Sequence, residues 1–168
     1  MKRTKRGILV LITTIVALAM LIGISSAAGK NTYTASLKGR NEVPPAETQG
    51  QGESIVRVNK DGSALNYKLI VANIDNVTQS HIHCGPEGAN GPVVAFLFGF
   101  VSGGVTVNGV LAEGTITAED VISRPDSDSC PGGVADLDDL IQQIRSGNTY
   151  VNVHTVQVPS GEIRGQLN

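Results

Sequence analysis

From Tyr33 onward the chain is cut into short runs that alternate apolar with polar residues and stop at Gly, Pro, Asn or Asp. Alternation of that kind marks a half-buried β-strand, because successive side chains point to opposite faces. In ALNYKLIVA, Leu65, Tyr67, Leu69 and Val71 alternate with Asn66 and Lys68. The preceding run, ESIVRVN, is separated from it by NKDGS, whose Asp61-Gly62 is a hairpin signal. YTASLKG, VTQSHIHC, VVAFLFGF, GVLAEGTI, TYVNVHTVQV and EIRGQL read as further strands, and the stretches NEVPPAETQGQG and GPEGANGP read as loops. TAEDVI reads as a short helical turn capped by Thr117. VADLDDLIQQIRSG puts Val134, Leu137, Leu140, Ile141 and Ile144 on one stripe, with acidic residues early and Arg145 and Gly147 at the end, which predicts a helix near 135–146. About eight short strands with one short helical crossover predict an all-β fold, an antiparallel Greek-key-like β-sandwich. A chain of 168 residues accommodates one such domain, here residues 33–168. With 4% aromatic residues and no Trp, its core has to be built from Val, Ile, Leu and Ala.

The first residues follow different rules. MKRTKRG is basic, ILVLITTIVALAMLIGI is continuously apolar, and SSAAG is small. That layout predicts a signal peptide over residues 1–28, or an uncleaved N-terminal membrane anchor, since the apolar run approaches the length needed to span a bilayer. In both cases the domain is expected outside the cytoplasm, secreted or at the cell surface. Without Lys2, Arg3, Lys5 and Arg6, nine Lys and Arg remain against fifteen Asp and Glu, a net charge of −6. An acidic domain without basic clusters is a poor partner for nucleic acid. Contact with a membrane is expected only through the N-terminal segment.

Export also frames the two cysteines. Cys84 and Cys130 are the only pair available, and in an oxidising compartment a disulfide between them is expected. The alternative use of Cys84 is as a thiolate ligand beside histidines, in a blue-copper-like site.

Those histidines carry the chemistry. His81 and His83 lie two apart in VTQSHIHC and therefore share one strand face, opposite Ile82 and Cys84. In TYVNVHT, Val151 and Val153 share a face, while Tyr150, Asn152 and His154 share the other. If the aliphatic residues face the core, all three histidines of the chain point away from it. Neutral imidazoles bind copper or zinc, and three of them leave one coordination position open. The expected metal site is therefore His81, His83 and His154, with copper first and zinc second. Histidines that are merely solvated or hydrogen-bonded at a strand end are the alternative.

Three stretches, YTASLKGRNEVPP, SHIHCGPEGANGPVV and YVNVHTVQVPSGEIRGQL, together resemble the CHRD domain, named from chordin. The resemblance runs from about Tyr33 to Leu167 and implies an extracellular β-rich domain. In chordin such domains accompany a secreted protein that binds growth factors, but this chain has no other chordin module, so that partner does not carry over. A fainter similarity is to copper/zinc superoxide dismutase, a β-sandwich with an HxH copper motif, a later histidine ligand and an intrachain disulfide. His81, His83 and His154 match those copper positions in character. The dismutase uses six histidines, however, and this chain has three, so its two-metal site cannot form here.

Other features read as ordinary. Arg164 lies two residues from Glu162 and reads as half of a surface ion pair. The acidic stretches RPDSDSCPGG and DLDD do not have EF-hand spacing, and the second suits a helix start. Asn76-Val77-Thr78 is a glycosylation sequon if the host glycosylates. No nucleophile arrangement emerges. The expected function is an exported binding module holding one copper or zinc ion, with an extracellular protein as a further expected partner. The rivals are a mononuclear copper oxidoreductase of dismutase type and a metal-free structural or adhesive surface module.

Overall fold

A computed structural model describes residues 30–168. The segment read as a signal or anchor, residues 1–28, lies outside the described residues. Among the described residues, no helix is long and apolar enough to cross a membrane. The alternating runs form eight strands: β1 (Thr32–Lys38), β2 (Gln51–Val58), β3 (Leu65–Ala72), β4 (Val77–Cys84), β5 (Val93–Phe98), β6 (Gly109–Ile116), β7 (Thr149–Thr155) and β8 (Ile163–Gln166). One helix, α1 (Leu137–Arg145), lies between β6 and β7.

All eight strands belong to one antiparallel sheet in the order β5-β4-β7-β8-β1-β2-β3-β6. Its two ends, β5 and β6, come together, so the sheet nearly closes on itself and its halves face each other as sandwich layers do. Tyr67 of β3 donates its hydroxyl to the Leu97 carbonyl of β5 at 2.7 Å across the seam. The segment after β6 then lies along β5, where Ile122 N–H donates to the Val94 carbonyl and Arg124 Nε to the Val93 carbonyl, both at 2.8 Å. With β5 against β6, strands β4, β5 and β6 are consecutive neighbours and β7 returns beside β4, which is a Greek key.

Alternation determines which side chains fill the interior. Leu37, Val56, Leu65, Leu69, Val71, Ile82, Val151, Val153 and Ile163 are wholly buried, and helix α1 adds Leu137, Leu140, Ile141 and Ile144 to the same cluster. Asp136 starts α1 by accepting the Asp139 N–H at 3.0 Å, and Asp138 and Asp139 lie in its first turn. The DLDD charges thus serve the helix N-terminus, where carboxylates are favoured. The Asp61-Gly62 turn closes the β2–β3 hairpin, with Gly62 at φ 73° and Asp61 Oδ1 accepting from the Ser63 N–H and hydroxyl. Thr117 and Asp120 bond reciprocally around a single helical turn, as their sequence predicts.

Cys84 ends β4 on the interior face and is bonded to Cys130, with Cα atoms 5.2 Å apart and both residues wholly buried. That bond excludes Cys84 as a thiolate ligand, because its sulfur is spent on the side of the sheet away from the histidines. It also ties the loop before α1 to the centre of the sheet. In the chain-entropy view, a crosslink spanning 46 residues contributes roughly 4 kcal/mol. Replacing both cysteines by serine should lower the unfolding free energy in urea by about that amount, and unreduced, denatured protein should show no free thiol. A loss well under 1 kcal/mol, or two titratable thiols per chain, would contradict the role assigned to this bond.

Candidate metal centre

Strand pairing brings the three histidines together. In the β4–β7 ladder, His81 lies opposite Asn152, His83 opposite Tyr150, and Gln79 opposite His154. Partners directly opposite share a face, so His81, His83, Tyr150, Asn152 and His154 form one polar patch on the outside of the sheet. On the next strand, β8, Arg164 lies opposite Asn152 and extends it. Ile82 and Cys84, of the other parity, join the aliphatic interior.

The outside of the sheet is covered here, so histidines that point away from the aliphatic core are nevertheless buried, which removes the alternative of solvated rings. His81, His83 and His154 are only 4%, 8% and 7% exposed. Three connections fold over the patch. Residues 39–50 bring Asn41, which donates to the Arg164 carbonyl at 3.0 Å, and Glu42. Residues 85–91 bring the Gly91 carbonyl to His83 Nδ1 at 2.8 Å, and Asn90 ties this loop to the first one through the Val43 carbonyl at 2.8 Å. Gly91 can have no side chain, since a Cβ there would collide with the Cys84 carbonyl, which is how the loop gets close enough. The turn after β7 brings the Pro159 carbonyl to His154 Nδ1, also at 2.8 Å.

Arg164 is the residue the sequence placed most wrongly. It is 2% exposed and makes no bond to Glu162, which instead accepts from Thr48 and Thr155. The guanidinium lies 3.3 Å from the centroid of the Tyr150 ring and donates to Asn90 Oδ1, the Ala89 carbonyl and the Pro86 carbonyl. Tyr150 in turn stacks on His83, with centroids 4.7 Å apart and planes 11° from parallel. Arg164, Tyr150 and His83 thus form one stack that fixes the His83 ring and clamps the 85–91 loop over it.

The hydrogen bonds determine what the imidazoles can do. A carbonyl only accepts, so Nδ1 of His83 and of His154 carries the proton and donates, leaving Nε2 with a lone pair. His83 Nε2 is buried with no partner, and so is His81 Nδ1. His154 Nε2 faces Asn152 Oδ1, another acceptor, at 3.1 Å. One nitrogen from each of the three rings lies within 4.8 Å of the others. Burial pushes the pKa of His81 down to about 3 and that of His83 down to about 4, and it lowers His154 too. A proton on His154 would also disfavour one on His81 or His83, which adds to the effect of burial at both. The site is a buried cluster of imidazoles in which protonation is disfavoured.

A family model for the CHRD domain matches residues 33–167. The chain belongs to the CHRD domain family. The matched CHRD region begins in β1 and ends just past β8, so it contains the whole sheet and all three histidines. Searches of curated proteins and of solved structures found no match. Within this CHRD domain, sequence reasoning identified the histidines and their common face but passed over Glu42, Tyr150 and Asn152 as contributors. For Tyr150 and Asn152 the signal was present, since both alternate in phase with His154.

The buried groups make stability depend on pH. Each imidazole stays neutral in the folded chain at pH values where it is charged in the unfolded chain, so unfolding takes up protons as pH falls below about 6.5. Glu42 acts with the opposite sign. Burial raises its pKa to about 7 against the pull of Arg164, so it favours the fold as pH falls from 7 toward 4.5. Three histidines outweigh one carboxyl, and each proton in excess is worth about 1.4 kcal/mol per pH unit. Metal-free protein should therefore be markedly less stable at pH 5 than at pH 7 in urea titrations. Changing the three histidines to Gln should flatten that decline, and Glu42→Gln should steepen it. Equal stability at the two pH values would contradict the burial assigned to these rings.

Proposed function

We propose that this CHRD domain is an extracytoplasmic binding module that holds one divalent or monovalent copper ion, with zinc as second choice, through His81, His83 and His154. The observation that carries the proposal is the convergence of three buried imidazoles within 4.8 Å of one another, with His83 Nε2 and His81 Nδ1 lacking any partner and His154 Nε2 facing an oxygen. Buried ring nitrogens without partners are costly, and a cation bound among them would remove that cost. Protonation is an expensive remedy here, because burial disfavours imidazolium. A soft-to-borderline metal ion is the cation that neutral imidazoles bind best.

Geometry supports the reading. Bonds of about 2.0–2.1 Å to one ion require the three nitrogens to stand roughly 3.3–3.6 Å apart. From separations of up to 4.8 Å, small ring rotations suffice. The Gly91 and Pro159 carbonyls would act as outer supports, fixing the tautomers that expose Nε2 of His83 and His154. The extracytoplasmic location rests on the N-terminal segment, on the Cys84–Cys130 bond and on membership of a family whose domain suggests an extracellular setting. The likeness to superoxide dismutase rests on the histidine pattern alone.

Calorimetric titration at pH 7 should show one equivalent of Cu(II) or Zn(II) bound per chain. His83→Ala should weaken binding by at least 10–100-fold, the scale seen when even an outer-shell partner is lost. Absence of saturable binding of either metal would end the proposal and leave the metal-free surface module. Metal-dependent turnover of superoxide would favour the oxidoreductase instead.

A further inference from the structure

Asn152 occupies the centre of the polar patch. It lies directly opposite His81, diagonal to His83 and two residues before His154 on its own strand, and it is 3% exposed. Its two amide ends meet different surroundings. The oxygen faces His154 Nε2 at 3.1 Å, where a neutral imidazole with its proton on Nδ1 offers only a lone pair. The nitrogen points into the notch above Gly161: a Cβ built there would lie 3.0 Å from Asn152 Nδ2 and 2.7 Å from Glu42 Oε1. Glu42 is 6% exposed, and this same Oε1 has no hydrogen-bond partner.

Resting on the metal-binding reading above, we infer that the Asn152 carboxamide oxygen is the fourth ligand of the three-histidine site, with the Glu42 carboxyl facing its NH2 end. Four acceptors then converge on one place, three imidazole nitrogens and one amide oxygen, and a single cation satisfies all of them. Bound metal draws electron density from the amide oxygen, which makes the NH2 group a better donor toward Glu42 Oε1. Gly161 is required because any side chain would separate the two groups. The consequence is functional for an ion that prefers tetrahedral coordination, Zn(II) or Cu(I): three protein ligands leave a position for exogenous ligand, whereas four fill the shell. A filled shell retains its ion and offers no position at which a substrate could displace water.

The test uses the full chain with its disulfide intact, loaded with one equivalent of Co(II) as a coloured stand-in for Zn(II), with azide as a small anionic probe. In the wild-type protein the visible absorption should have the intensity of four-coordinate Co(II) and should not change on adding millimolar azide. Asn152→Ala should still take up one equivalent, bind it about 10–100-fold more weakly, and change its spectrum with azide. Asn152→Asp retains an oxygen donor and should restore azide resistance; it also covers the case in which the alanine variant does not fold. Glu42→Gln should weaken binding by less than Asn152→Ala does and leave the site closed to azide. A wild-type Co(II) site whose absorption changes readily with azide would overturn the fourth-ligand assignment while leaving the three-histidine site standing. Failure of the wild-type protein to bind Co(II), Zn(II) or copper would overturn both.

Discussion

The antiparallel pairing of β4 with β7 is the constraint on which the rest depends. Its register puts His81 opposite Asn152 and His83 opposite Tyr150, while Ile82 faces Val151 and Ser80 faces Val153. One ladder therefore carries an aliphatic face and a polar face, and both are buried. A slip of β4 by one residue would turn His81 and His83 into the hydrocarbon interior and Ile82 outward. Such a slip would meet a large penalty on both faces, so the register is fixed twice. Cys84, one residue past His83 and of the opposite parity, anchors the strand end through its bond to Cys130.

Burying polar groups on the outer face requires them to be bonded to one another. Arg164 illustrates how this is done: its guanidinium finds three acceptors in the 85–91 loop and a ring face in Tyr150. A fully desolvated guanidinium over an aromatic ring gains about 2 kcal/mol, and the three bonds satisfy donors that would otherwise be stranded. The stack continues into His83, so the loop, the arginine and a candidate ligand are held as one unit. Against that background the exceptions matter. His81 Nδ1, His83 Nε2 and Glu42 Oε1 are buried without partners in a region where nearly every other polar atom has one. Unsatisfied groups gathered at one spot are the support for the proposed site.

Strands were legible in the sequence because period-two alternation is a local property: GVLAEGTI became β6 and VTQSHIHC became β4 residue for residue. The helix was legible from its stripe and its early acids, with Asp136 and Ser146 as the caps that the pattern only approximated. The face shared by the histidines was also local, and it held. Whether β4 would pair with β7 was not local, and without that pairing neither the convergence of His154 with His81 nor the central place of Asn152 could be derived. The burial of the polar face was hidden for a similar reason. It depends on residues 39–50 and 85–91 folding back across the sheet, through bonds such as Asn41 to Arg164 and Asn90 to Val43 that join distant parts of the chain. Arg164 read as a surface charge because two-residue proximity to Glu162 is visible in a sequence, and a stack on Tyr150 is not.

The central claim is that three imidazoles from two adjacent strands take one ion. Diffraction from crystals of copper-loaded protein, measured on both sides of the copper absorption edge, tests it most directly. The account predicts a single anomalous peak per chain about 2.0–2.1 Å from one ring nitrogen each of His81, His83 and His154. A peak elsewhere on the surface, or none at this cluster in fully loaded crystals, would contradict it.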